Sequence, residues 1–166
     1  MIPKNDAKLS GLGFRGWLQY MYRVLATKVE HYRPTNGEAP GVSLQIGEVV
    51  FASGDDEVSR AYSEEVTGAA ARWVGVVDNG GASGARVSVK TAGRVLVRFK
   101  DGETLNSAAV GTPVYVSDVV GRATMTNVGL TFSSAIGVLE DGSEYVSGDN
   151  PVAYVYLRSI CGRGVQ

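Results

Sequence analysis

Two of the most chemically versatile residue types are nearly missing from this chain of 166 residues: it has one cysteine, Cys161, and one histidine, His31. A lone cysteine excludes an intrachain disulfide and any multi-cysteine metal cluster. A lone histidine excludes a histidine-based zinc site, and paired with so distant a cysteine it forms no recognisable nucleophile–base couple. Net charge of one sign is missing too. Sixteen basic and 17 acidic residues leave a charge of −1, so no bulk field draws nucleic acid or an anionic membrane. The charges are interspersed, without a run of five or more of one sign, which excludes a polybasic or polyacidic tail. No stretch of about 18 apolar residues occurs, so no transmembrane helix is expected. The start Met1-Ile2-Pro3-Lys4-Asn5-Asp6 lacks the basic and apolar regions of a secretory leader, and none is expected. A cytosolic site of synthesis fits a chain whose stability cannot rest on disulfides.

Glycine is plentiful, at 22 residues, and proline is sparse, at five. With many Val, Thr and Tyr, this composition points to short strands joined by tight turns. The chain divides near Pro34–Pro40, giving an expected N-terminal arm, helix and linker over 1–40 and a β domain over 41–166.

Before the break, Gly16–Tyr32 reads as an amphipathic helix. Trp17, Leu18, Met21, Leu25, Val29 and Tyr32 recur at three- and four-residue steps, whereas Arg15, Gln19, Arg23 and Lys28 lie mostly off that stripe. Arg33-Pro34 ends the helix, because a residue preceding proline is pushed out of the α region. The stripe must be buried, either on the β domain or on another chain. Concentrated aromatic and aliphatic side chains are typical interface anchors, so these six residues are the candidate protein interface. The glycines before the helix and the turn-rich Thr35–Gly41 linker would let it lie on another protein.

After the linker the pattern changes to period two and short apolar runs. Strands are expected over 42–46, 48–52, 57–61, 73–78, 86–90, 95–100, 113–117, 123–127, 134–140 and 152–158, separated by Gly-, Asp- and Asn-rich turns. This predicts a mainly β fold, an antiparallel sandwich or barrel. Two related units, about 42–100 and 105–160, are also legible. Gly47-Glu48-Val49-Val50-Phe51-Ala52-Ser53 matches Gly111-Thr112-Pro113-Val114-Tyr115-Val116-Ser117, and Arg60-Ala61 matches Arg122-Ala123. Trp73–Asp78 matches Ala135–Glu140, and Arg94–Arg98 matches Ala153–Leu157.

No residue pattern here carries catalysis. Gly11-Leu12-Gly13-Phe14-Arg15-Gly16 spells a G-x-G-x-x-G, but a polar segment precedes it where a dinucleotide fold needs a strand. Asp55-Asp56-Glu57, Glu64-Glu65 and Glu140-Asp141 sit at or beside turns without the spacing of a calcium loop. Asp78–Gly84 reads as a mobile hairpin tip rather than a phosphate cradle. No catalytic residue, metal or cofactor is therefore expected. A carbohydrate- or cell-surface-binding module stays open, with Trp73, Tyr145 and Tyr154 as its aromatic candidates.

One composite pattern remains. Val110-Gly111-Thr112-Pro113-Val114-Tyr115-Val116-Ser117-Asp118, Gly121-Arg122-Ala123-Thr124, Ile136–Glu140 and Val152–Leu157 resemble the strand pattern of bacteriophage capsid-decoration (head cement) proteins. The resemblance covers the last third of the chain, the first β unit more loosely, and not Met1–Pro40. It implies a virion structural protein on the capsid exterior that bridges capsomers. Its partners would be the major capsid protein and further copies of itself, commonly as a trimer, with no nucleic acid, membrane or enzymatic activity. Another phage head-fibre or tail component is the nearest alternative.

Overall fold

The uninterrupted apolar run Val49-Val50-Phe51-Ala52 forms a strand in which all four side chains are buried. Successive side chains of a strand point to opposite faces, so such a strand must have protein on both sides. The computed structural model, which describes residues 33–66, 74–140 and 150–158, shows how this comes about.

Ten strands are described: β1 (Thr35–Asn36), β2 (Val49–Ala52), β3 (Glu57–Arg60), β4 (Val74–Asn79), β5 (Ser88–Lys90), β6 (Gly93–Arg98), β7 (Pro113–Val116), β8 (Ala123–Thr124), β9 (Gly137–Leu139) and β10 (Val152–Leu157). A single 3₁₀ turn, Leu105–Ser107, separates β6 from β7. The strands form two five-stranded sheets, ordered β1-β3-β2-β4-β5 and β6-β10-β9-β7-β8. Both sheets curl into half-barrels, and the fold is mainly β as expected. Among the strand pairings only β1 with β3 is parallel, over two residues. Each sheet also has its two edges tied together. Thr35 bridges to Arg86, just ahead of β5, and Phe99, just beyond β6, bridges to Ala123 in β8. Joining edges in this way removes rows of unpaired backbone groups that would otherwise template aggregation.

Curling gives the first sheet a core of its own, made of Leu44, Val50, Val58, Val77, Val87 and Val89. Its opposite face contributes Val49, Phe51, Val74 and Val76 to a larger core shared with Val95, Val97, Phe99, Val114, Val116, Leu139, Val155 and Leu157 of the second half. Strands β2 and β4 are the wall between the two cores. Neighbours such as Val76 and Val77 therefore serve different cores, and both are fully buried.

The β7–β8 turn is stitched into the first sheet. Gly121, at φ +73°, donates its N–H to the Ala61 carbonyl (2.8 Å) and accepts from the Val49 N–H (3.0 Å). A side chain at this position would meet the Arg60 side chain at 3.1 Å, in a backbone conformation that favours glycine.

The matched sequence segments occupy matching places: β2 lies between β3 and β4, and β7 lies between β8 and β9. The last pair of matched segments behaves differently. Strands β6 and β10 pair with each other, Val95 opposite Val155, while β4 pairs with β5.

Two local expectations are corrected. Thr35–Gly41 is no free linker, since Thr35–Asn36 is strand β1 and Asn36 is only 1% exposed. Asp78–Gly84 is no loose hairpin tip, since Gly81 bridges to Leu44 and the Gly84 N–H donates to the Asn36 carbonyl (2.9 Å). Strand 42–46 shrinks to the single bridge at Leu44, and 123–127 shrinks to two residues.

Candidate interaction surface

The alternation of β6 and β10 sorts most of their side chains. Val95, Val97, Ala153, Val155 and Leu157 are buried, while Arg94, Leu96, Tyr154 and Tyr156 face outward; Val152, at the start of β10, is also buried. Tyr156 lies opposite Arg94 on β6 and Val138 on β9, and Val138 lies opposite Pro113 on β7. A row Arg94–Tyr156–Val138–Pro113 thus runs across four strands. The Arg94 guanidinium stacks 3.5 Å from the centroid of the Tyr154 ring, and its Nε donates to Glu140 Oε2 at 2.7 Å. Exposed cation–π contacts and ion pairs are screened by water and add little to stability. This triad mainly fixes the orientation of Tyr154 and leaves Tyr156, 55% exposed, as the open aromatic of the row.

The second surface feature is the chemistry of the turns. Val110 and Val128 are 72% and 84% exposed, and Val119 and Val120 are about half exposed. All four occupy turns or turn-flanking loops, where glycine, asparagine, aspartate and serine would serve the backbone at no cost in exposed apolar area. The Val119–Val120 and Val110 turns are firmly built. The Ser117 hydroxyl donates to Asp118 Oδ1 (2.9 Å) and accepts from the Val119 N–H (3.0 Å), while Lys100 Nζ approaches the same carboxylate at 3.4 Å. The Ser117 hydrogen bond, helped by Lys100, holds the Asp118 carboxyl below the usual carboxylate range. The Val110 turn is held by the Gly111 N–H on the Leu139 carbonyl (2.7 Å) and by Thr112, whose N–H and hydroxyl both donate to the Ala109 carbonyl. Aliphatic side chains on rigid, exposed turns lose little conformational freedom when a partner covers them.

A third cluster is internal. Arg60 sits between Glu38 and Glu48, at 3.5 and 3.9 Å. Glu48, 6% exposed, also accepts from the Gln45 N–H (2.8 Å), and Glu38 from the Arg60 N–H (2.6 Å). Hydrogen bonds satisfy the buried Glu48 and the half-buried Glu38 in structural roles, tying loops to β3.

The predicted interface residues Trp17, Leu18, Met21, Leu25, Val29 and Tyr32 lie outside the described residues, as do His31, Trp73, Tyr145 and Cys161. Of the three aromatics considered for a sugar platform, Tyr154 is described, and Arg94 stacks on its ring. Asp56 pairs with Arg86, and Glu140 with Arg94. Among the described residues, no group of three or more His, Cys, Asp or Glu is placed to hold a metal ion, and no helix is long and apolar enough to cross a membrane. The sequence reading missed Tyr156 and the turn valines. Their signal was Val119-Val120 between Asp118 and Gly121, an apolar pair where turn chemistry calls for polar residues.

No protein-family model, curated protein or solved structure matches this chain significantly.

Proposed function

We propose that this chain is a non-enzymatic virion structural protein that decorates and stabilises a phage capsid from outside, binding the major capsid protein and further copies of itself. The supporting observation is the set of apolar turn tips, above all Val110 and Val128, held on a twin-core β body with tied edges. A cement protein works by gaining burial only when bound, so its free form must hold apolar contacts in water without collapsing around them. Apolar turn tips on a firmly built β body do this. The resemblance of its strand pattern to that of decoration proteins supports the same reading, and the stripe Trp17–Tyr32 would supply a second contact.

The test is co-sedimentation with shells assembled from the major capsid protein of the same genome. Val110→Asp and Val128→Asp together should leave the fold intact and weaken shell binding at least about ten-fold, since desolvating each introduced charge opposes association. Deleting residues 1–32, upstream of the backbone contacts made by Arg33 and Pro34, should leave a folded β body with reduced attachment or oligomerisation. Unimpaired binding by both variants would defeat the proposal. Saturable binding of the intact chain to a glycan array, with none to shells, would instead favour the cell-surface module, with Tyr156 as its platform.

A further inference from the structure

The chain contains two Asn-Gly pairs among its described residues, and the fold treats them in opposite ways. Asn36-Gly37 is locked. Asn36 is 1% exposed, and its Nδ2 donates to the Val42 and Gly81 carbonyls (3.1 and 3.0 Å). Its Oδ1 accepts from the Glu38 N–H (3.0 Å), and the Gly37 N–H donates to the Val58 carbonyl (2.9 Å). Asn79-Gly80 is open. Asn79 is the exposed last residue of β4, just past the bulge that offsets β4 from β5. Among the described residues no hydrogen bond holds its carboxamide or the Gly80 N–H.

We infer that Asn79 is a site of spontaneous deamidation and isoaspartate formation in the folded protein, from which Asn36 is protected. The Gly80 amide nitrogen attacks Cγ of Asn79, and the new C–N bond closes a five-membered succinimide. The side-chain nitrogen leaves as ammonia, taking the proton given up by Gly80. Water then adds to either ring carbonyl and reopens one C–N bond, giving aspartate or isoaspartate. Glycine favours the attack because it has no Cβ to obstruct the closing ring. The fold fixes glycine here, because a Cβ at residue 80 would lie 2.1 Å from the Leu44 carbonyl oxygen. The susceptible pair therefore follows from the close approach of the two backbones. The product adds a negative charge next to Asp78, whose carboxylate faces Lys90 at 3.5 Å. The isoaspartate form also adds a backbone methylene at the end of β4. At Asn36 the same attack requires breaking its hydrogen bonds first, so it proceeds only through local opening.

The test uses the full chain, incubated folded at mildly alkaline pH and digested with trypsin under mildly acidic conditions. Mass spectrometry then follows deamidation in the peptides spanning 73–86 and 29–60. The expected result is conversion at Asn79 at least about ten-fold faster than at Asn36, because several hydrogen bonds must open at Asn36. In denaturing urea the two rates should converge to within about three-fold, with Asn36 accelerating. Equal rates in the folded protein, or no conversion at Asn79, would overturn the inference. A gap that persisted unchanged in urea would show that flanking sequence, and not the fold, sets the difference.

Discussion

Asn36 Nδ2 donates to the Gly81 carbonyl at 3.0 Å, joining the first described strand to a loop 45 residues later. The same amide group holds the Val42 carbonyl (3.1 Å) and caps the Glu38 N–H through Oδ1. The Asn36 backbone adds two bonds, its N–H to the Ala85 carbonyl and its carbonyl to the Gly84 N–H, both at 2.9 Å. Five hydrogen bonds converge on one buried residue and close the first half-barrel beside the Thr35–Arg86 bridge. Asn36→Ala removes the three side-chain bonds, depriving the Val42 carbonyl and the Glu38 N–H of this partner, while the Gly81 carbonyl keeps the Leu44 N–H (2.9 Å). The expected loss is about 2–4 kcal/mol, read as a lower urea midpoint with an unchanged slope.

The two-core architecture makes an unusual demand on adjacent residues. In a sheet covered on one face, only alternate positions are sensitive to truncation. Here Val76→Ala and Val77→Ala should each cost about 2 kcal/mol, one from each core. Equilibrium unfolding of the two single variants checks this; a Val77 variant as stable as the parent would show that the small core does not contribute.

Glycines in this chain fall into separable classes. Gly80→Ala drives a methyl group against the Leu44 carbonyl and should cost at least about 3 kcal/mol or prevent folding. Gly129→Ala meets open space at φ +79° and should cost only the left-handed penalty of about 1 kcal/mol. Thermal melting of the two variants distinguishes them.

Asp118 links the turn valines to pH. Its carboxyl is held below the usual range first by Ser117 and then by Lys100. A depressed carboxylate contributes stability that is present above its ordinary value and is lost as pH falls through the depressed one. The Val119–Val120 turn should therefore hold its shape through neutral and mildly acidic pH and loosen only below the normal carboxylate range. NMR titration of Ser117→Ala should show Asp118 moving up toward the ordinary carboxylate range. No movement would mean that the hydroxyl is not the dominant partner.

Much of this fold was legible because apolar runs and turn residues punctuate it plainly. The segments 48–52, 57–61, 73–78, 113–117 and 152–158 were expected as strands, and β2, β3, β4, β7 and β10 run within a residue or so of those bounds. What escaped was whatever depends on one or two residues. Strand β1 has no period to detect, and Asn36 in a Thr-Asn-Gly run reads as a turn until its partners at Val42 and Gly81 are known. The bridges Thr35–Arg86 and Phe99–Ala123 are long-range events with no local signature. Double-sided burial of β2 was written in Val49–Ala52, yet a short apolar run cannot say what covers its second face. The candidate interface stripe Trp17–Tyr32 was read from periodicity alone and lies outside the described residues, while Tyr156 and the turn valines emerged only once exposure was known.

The most direct test of the central claim is a binding measurement on shells. Purified chain is titrated onto shells assembled from the major capsid protein of the same genome, with bound protein and shell melting temperature followed together. A decoration protein predicts saturable binding at a fixed ratio to capsid subunits and a shell that melts at higher temperature as sites fill. Protein that stays in the supernatant at every concentration, with shell melting unchanged, would contradict it.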